Sequence, residues 1–267
     1  MLPDVKFATA QLATGIRVHY AEQGDVDGAP VVFLHGWPDS WFSFSRVLEY
    51  LPPRIHAFVF DQRGFGDSER PGGRYRIEDF AADAIAFLDA LAIDRAAFVG
   101  HSFGTFVTRK AALTHPDRIA RMVLIGAGES KGNPVLQEVR AAMAALPEPV
   151  PEEFAREFQA GTAFAPVPQT FFNRIVAESL KLPSRLWRDV FDGILAYDDQ
   201  HEIARVTAAT LLIWGERDAL FPRAHQDALT AAITGSRLRI YQDIGHCPNW
   251  ECPERVAADL VEFIAQS

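Results

Sequence analysis

The sequence is poor in the residues that mark several classes of protein. Only two cysteines occur in 267 residues, Cys247 and Cys252. A structural zinc site needs four ligands, so this pair does not make one. With prolines beside them, they are expected as reduced thiols in a cytosolic protein rather than as a disulfide. Basic residues are in deficit: 26 Lys and Arg stand against 35 Asp and Glu, a net charge of −9. Nucleic acid and anionic membrane surfaces both reward a basic face, so neither is expected as a partner. No apolar run approaches the length of a transmembrane helix. The opening residues, Met1 to Lys6, lack the basic head and apolar core of a signal peptide. A cytoplasmic location follows as the expectation. Repeats and low-complexity tracts are missing. So are a phosphate-binding loop after the first strands and any His-x-x-His or carboxylate set, so neither cofactor nor metal is expected.

What is present is ordinary for a globular protein. The apolar fraction is 48% and the charged fraction 23%, enough to bury a real core. The length suits one large α/β domain with an insertion. Eight stretches read as strands: Phe7 to Leu12 and Ile16 to Glu22 as a hairpin, then Pro30 to Leu34, His56 to Phe60, Ala96 to Val99, Ile119 to Ile125, Thr210 to Trp214 and Arg237 to Tyr241. The continuous ones suit strands covered on both faces. Between them lie helical stretches, at Trp41 to Tyr50 behind a Ser40 cap, Ile77 to Leu91, Thr105 to Thr114, His225 to Ala232 and Pro253 to Ala265. From about Ser130 to Val206 the strand-like runs vanish. Helical stretches there alternate with proline-rich breaks such as Pro147-Glu148-Pro149-Val150-Pro151. The expected organisation is a core of residues 1–129 and 207–267 carrying a helical cap, residues 130–206. Strands alternating with helices give a mostly parallel sheet covered on both faces. Ligands bind such sheets beyond the carboxyl ends of the strands.

Chemistry gathers at those strand ends. Val99-Gly100-His101-Ser102-Phe103-Gly104 fits G-x-S-x-G between a short apolar strand and a helix. In that context the motif is a nucleophile elbow, with Ser102 lifted off the sheet. A serine hydroxyl is a poor nucleophile without a base. Of eight histidines, His246 follows the last strand and comes after both the serine and an acid. Asp218 follows the Thr210 to Trp214 strand and is the expected acid to hold the imidazole's tautomer. Glu129 is its rival and Glu216 a third candidate. Backbone N–H groups of Phe103, just after the nucleophile, and Trp37, after His35-Gly36, are the expected oxyanion donors. His35 reads as ordering its own loop, His101 as structural, and Asp61, Arg63 and Asp67 as loop-ordering charges. Phe164, Phe172 and Trp187 are the cap aromatics expected against substrate.

Taken together, His35-Gly36-Trp37-Pro38, Asp61-Gln62-Arg63-Gly64-Phe65-Gly66-Asp67-Ser68, the elbow, Gly215-Glu216-Arg217-Asp218 and Gly245-His246 resemble the successive landmarks of the α/β-hydrolase superfamily. The resemblance implies an eight-stranded α/β-hydrolase fold with a helical cap. The first two segments are similar to those of epoxide hydrolases and haloalkane dehalogenases, which carry aspartate where this chain has Ser102. An aspartate forms an alkyl ester and suits epoxides and carbon–halogen bonds, whereas a serine suits an acyl carbon. The resemblance therefore implies a serine esterase or lactonase acting on a small-molecule ester or lactone, as a monomer or homodimer. The alternatives are a carbon–carbon bond hydrolase of a diketone ring-cleavage product, a cofactor-free haloperoxidase or perhydrolase, and a ligand sensor that keeps the fold.

Overall fold

The computed structural model describes residues 5–73, 75–129, 131 and 133–266. Met1 to Asp4, the start of the stretch read for a signal peptide, and Ser130, the expected first residue of the insertion, lie outside them. Eight strands build one sheet: β1 (Lys6–Gln11), β2 (Arg17–Gln23), β3 (Ala29–Leu34), β4 (Ile55–Phe60), β5 (Ala96–His101), β6 (Ile119–Ile125), β7 (Ala209–Gly215) and β8 (Arg237–Tyr241). Their order is β1-β2-β4-β3-β5-β6-β7-β8. The first two strands run antiparallel to each other, and β2 is antiparallel to β4. From β4 to β8 all pairings are parallel. This is the mostly parallel sheet that the strand–helix alternation predicts.

The central strands bury both faces, and their sequences show why. Along β3, Val32 and Leu34 enter the core on one side of the sheet, while Val31 and Phe33 enter the core on the other. Met122 and Leu124 of β6 alternate with Val123 and Ile125 in the same way. Side chains of a strand point to opposite faces in turn, so only an unbroken apolar run fills two cores at once. Each fully buried Val, Leu or Phe contributes about 1.5–3 kcal/mol. One face is covered by α1 (Ser45–Leu48) and, at the chain's end, α10 (Pro253–Ile264); the other by α2 (Ile77–Ala90) and α3 (Phe103–Thr114). Among the described residues, four α-helices, α4 (Pro134–Ala142), α5 (Glu152–Thr162), α6 (Gln169–Ser179) and α7 (Ser184–Ala196), and no strand, intervene between β6 and β7. Helix α8 (Arg223–Ala232) joins β7 to β8, and the short α9 (Pro248–Glu251) follows β8.

The expected helix from Trp41 to Tyr50 is instead a 3₁₀ turn, Trp41–Phe44, running into α1. Its first turn is held from outside. The Asp61 carboxylate accepts from the Trp41 N–H, and the Ser43 carbonyl accepts from Asn249. Ser40 does cap the turn, accepting from the Phe42 N–H at 3.3 Å.

The sheet order fixes where a ligand can lie. Strand β3 has β4 on one side and β5 on the other, so the connections leave it in opposite directions. A crevice opens beyond the carboxyl ends of strands at such a switch point. The residues that follow β3 and end β5 are His35-Gly36-Trp37 and His101-Ser102.

Candidate active site

Ser102 sits between the last residue of β5 and the first of α3. Its backbone, at φ 49° and ψ −116°, is in a region that a side-chain-bearing residue rarely adopts. Such a conformation costs about 1–3 kcal/mol and persists only when its surroundings fix it. Here the Ser102 N–H donates to the Ile125 carbonyl at the end of β6, and its own carbonyl accepts from Thr105 N–H and Oγ1. The flanking glycines are required by contact. A Cβ on Gly100 would lie 2.4 Å from the Gly104 carbonyl oxygen, and one on Gly104 would lie 2.1 Å from that of Leu34. The turn therefore takes a single residue, and α3 starts at Phe103 rather than at the expected Thr105.

His246 follows β8 and is buried. Its Nδ1 lies 2.9 Å from Asp218 Oδ2. The other Asp218 oxygen accepts from the backbone N–H groups of Leu220 and Phe221 at 2.8 and 3.0 Å. A carboxylate so held keeps the proton on Nδ1, which leaves Nε2 as a bare acceptor. That Nε2 is buried and has no hydrogen-bond partner. Glu129 is engaged elsewhere: its N–H faces His225 Nδ1 and its carboxylate accepts from Gln200. Glu216 is exposed. Of the three candidate acids, Asp218 is the one bonded to His246.

Trp37 and Phe103 border the cavity that Ser102 and His246 line. Neither backbone N–H donates to an acceptor among the described residues, as an oxyanion site requires. His35 orders its loop, with Nδ1 donating to the Gly36 carbonyl and Nε2 accepting from the Gln62 N–H. Burial lowers its pKa and keeps it neutral. Asp61 accepts from Trp41 N–H, Asp67 N–H and His19 Nδ1; Arg63 is paired with Asp83, and Asp67 with Lys181. These are loop and strand fastenings, as their positions predict. Both cysteines are free thiols, and Cys247 lines the cavity.

The cavity is tight, with about 30 Å³ open to the centre of a water molecule. The helices between β6 and β7 supply part of its apolar wall, through Leu136 and Val139 of α4, Phe158 of α5, and Phe191 and Ile194 of α7, and Phe106, Phe221 and Trp250 supply more from the sheet side. The three aromatics expected there do not line it. Phe164 is 56% exposed, with the Arg217 guanidinium 5.3 Å from its ring centre. Phe172 lies under Arg156. Trp187 is fully buried and packs edge-on against Trp37 and Phe158. Aromatic content pointed to the right segment, but helix phase chose Phe158 and Phe191 for the cavity and Trp187 for the core behind it.

Three further residues escaped the sequence reading. Asp39 and Gln159 are buried at the polar end of the cavity and bonded to each other at 2.9 Å. Glu251, in α9, accepts from the backbone N–H groups of Gly245, Cys247, Phe164 and Ala165. It ties both sides of His246 to the chain leaving α5. His246 N–H itself donates to the Thr162 carbonyl at 2.9 Å. Only the fold brings these partners together. In sequence, Asp39 is one more turn aspartate, and Glu251 one more glutamate at a helix end.

A serine at a strained strand-to-helix turn, an Asp–His pair and free N–H groups at a sheet's switch point define a hydrolase architecture. Residues 29–253 match the model of the alpha/beta hydrolase fold family, and the chain belongs to that family. It is similar to a non-heme chloroperoxidase of Streptomyces lividans, 28% identical over 96% of this chain and 99% of the relative. It is 29% identical to a 2-hydroxy-6-oxo-2,4-heptadienoate hydrolase of Pseudomonas putida, over 90% of this chain and 88% of the relative. Among solved structures, an esterase from Exiguobacterium antarcticum superimposes with a TM-score of 0.88 at 20% identity, covering 97% of this chain and 99% of that one. That last likeness bears on the fold.

Proposed function

We propose that the chain is a serine hydrolase cleaving a carboxylic ester or lactone through an acyl-enzyme on Ser102. The observation that carries this is the unpartnered Nε2 of His246, a residue backed by Asp218 and lining the same cavity as Ser102. Ser102 Oγ attacks the acyl carbon as His246 Nε2 takes its proton. The imidazolium is stabilised through its Nδ1–H by Asp218. The N–H groups of Trp37 and Phe103 receive the oxyanion, worth about 10²–10³-fold in rate for each such donor. His246 then returns the proton to the leaving alcohol and activates the water that releases the acid. The helices between β6 and β7, expected as a cap over residues 130–206, shape an apolar acyl pocket. Its small size favours small or medium acyl groups.

The test is hydrolysis of a p-nitrophenyl ester, together with labelling by a neutral fluorophosphonate, in the wild type and in Ser102→Ala. Both signals should disappear in the variant. Hydrolysis surviving the substitution would overturn the mechanism. Relatives named as a heptadienoate hydrolase and a chloroperoxidase support assaying carbon–carbon bond cleavage and peracid formation beside the esters. Turnover of a diketone with none of a simple ester would replace the ester reading. Ligand binding without turnover of any of these would favour a sensor.

A further inference from the structure

The cavity wall has an unusual polar end. Asp39 is 2% exposed, and its Oδ1 accepts from Gln159 Nε2 at 2.9 Å while its Oδ2 accepts from Ser43 Oγ at 2.9 Å. A carboxylate offers about four lone-pair sites, so two donors leave it unsaturated. Facing Oδ2 at 4.0 Å is Nδ1 of His101, also 2% exposed. The His101 Nε2 lies 3.1 Å from the His246 carbonyl, which can only accept, so Nε2 carries the proton and Nδ1 is an acceptor. Burial holds this imidazole neutral, its pKa well below the ordinary histidine value. Nδ1 is buried and has no partner. Two acceptors thus face each other with no donor between them. Gly36 packs against the pair: a Cβ there would lie 2.9 Å from His101 Nδ1 and 3.2 Å from Asp39 Oδ2. Both residues line the cavity beside Ser102. No Lys or Arg does so among the described residues.

We infer that Asp39 and His101 form a specificity subsite that accepts a hydroxyl group of the substrate and turns away a carboxylate. A hydroxyl reaching Asp39 from the cavity donates to a carboxylate that its two donors leave unsaturated, and neutral His101 brings no competing donor to it. A substrate carboxylate would bring a third acceptor, and a like charge, to a site without a countercharge. The inference rests on the ester-hydrolase reading of Ser102. It narrows that reading to neutral, hydroxyl-bearing esters and lactones.

The test compares ethyl butanoate, the isomers of ethyl hydroxybutanoate, hydroxyethyl butanoate and monoethyl succinate. The assay runs at alkaline pH with wild type and Asp39→Asn. In the wild type, one hydroxylated ester should exceed ethyl butanoate about tenfold in kcat/KM, chiefly through KM, as a hydrogen bond to a charged group allows. Monoethyl succinate should fall about tenfold below ethyl butanoate. In Asp39→Asn the penalty on the succinate should collapse toward parity. Wild-type values within about twofold of one another across the set would overturn the subsite whether or not the variant folds. So would a variant that keeps the wild-type ratios. Fluorophosphonate labelling of Ser102, which involves neither hydroxyl nor carboxylate, separates the two readings. Labelled enzyme that hydrolyses all the esters equally refutes only the subsite, while unlabelled enzyme that hydrolyses none refutes both.

Discussion

Glu251 offers the sharpest test of how this fold holds His246, the proposed base, in place. Its two oxygens receive the N–H groups of Gly245 and Cys247, on either side of His246, and of Phe164 and Ala165, just past α5. One carboxylate therefore fastens the loop carrying His246 to the chain that leaves the cavity wall. Glu251→Ala strands those four donors. At about 1 kcal/mol each, with water repaying part where the site is exposed, the loss of stability should be about 3 kcal/mol. The kinetic effect follows from position. A base displaced by about 1 Å can lose 10²-fold in rate. Glu251→Ala should therefore lower kcat ten- to a hundredfold on a p-nitrophenyl ester, with KM nearly unchanged and fluorophosphonate labelling slowed in parallel. Glu251→Gln keeps the shape but turns an N–H₂ toward donors, and should fall between. Urea melts supply the stability arm. A folded Glu251→Ala enzyme with kcat within about twofold of wild type would refute the reasoning. It would mean that the His246 N–H bond to Thr162 suffices to hold the loop.

Two further predictions concern stability. Burial raises the Asp39 pKa from 3.8 to about 6, against the lowering effect of its bonds from Gln159 and Ser43. The folded protein then binds this proton more tightly than the unfolded chain, so ionising Asp39 removes stability as pH rises through that window, by about 3 kcal/mol. Asp39→Asn lacks this slope. Its stability relative to wild type should improve by about 3 kcal/mol between about pH 4 and 7 in urea melts, and a flat difference would refute the linkage. Arg109, on α3, is buried and donates to both Asp199 oxygens and to the Gly128 carbonyl. Arg109→Leu leaves Asp199 charged and without its partner guanidinium, and should cost about 3–5 kcal/mol, read as a lower urea midpoint.

The sheet was legible in the sequence because each of its strands carries its own signal. Ile119–Ile125 and Arg237–Tyr241 match the observed strands end to end for different reasons: the first ends in four buried apolar residues, Met122 to Ile125, of a strand packed on both faces, and the second alternates arginine with apolar residues as an edge strand does. Helix ends were less legible where a distant group decides them. The turn after Ser40 is tightened by Asp61 and Asn249, and α5 runs on to Thr162, whose carbonyl receives His246. Neither partner is visible from the local pattern.

The same distinction divides the site. Ser102, Asp218 and His246 announce themselves because each follows a strand, and the family's chain order assigns them complementary roles. The Gly100 and Gly104 spacing is legible for a steric reason that the contact distances bear out. Asp39 and His101 are illegible for the opposite reason. Each is paired by the fold with something remote: Asp39 with Gln159, 120 residues away, and His101 with the carbonyl of His246, 145 residues away. Sequence places His101 beside the nucleophile and goes no further. The bond to the His246 carbonyl is what forces its proton onto Nε2, and the missing Cβ of Gly36 is what lets Nδ1 and Asp39 Oδ2 stand 4.0 Å apart against that loop. On the proposed reading, reaction type is written in residues that act locally, and substrate choice in contacts between the strand ends and the helices laid over them. For that reason, exchanging the α4–α7 segment between relatives should move substrate preference while leaving Ser102 reactive toward a fluorophosphonate.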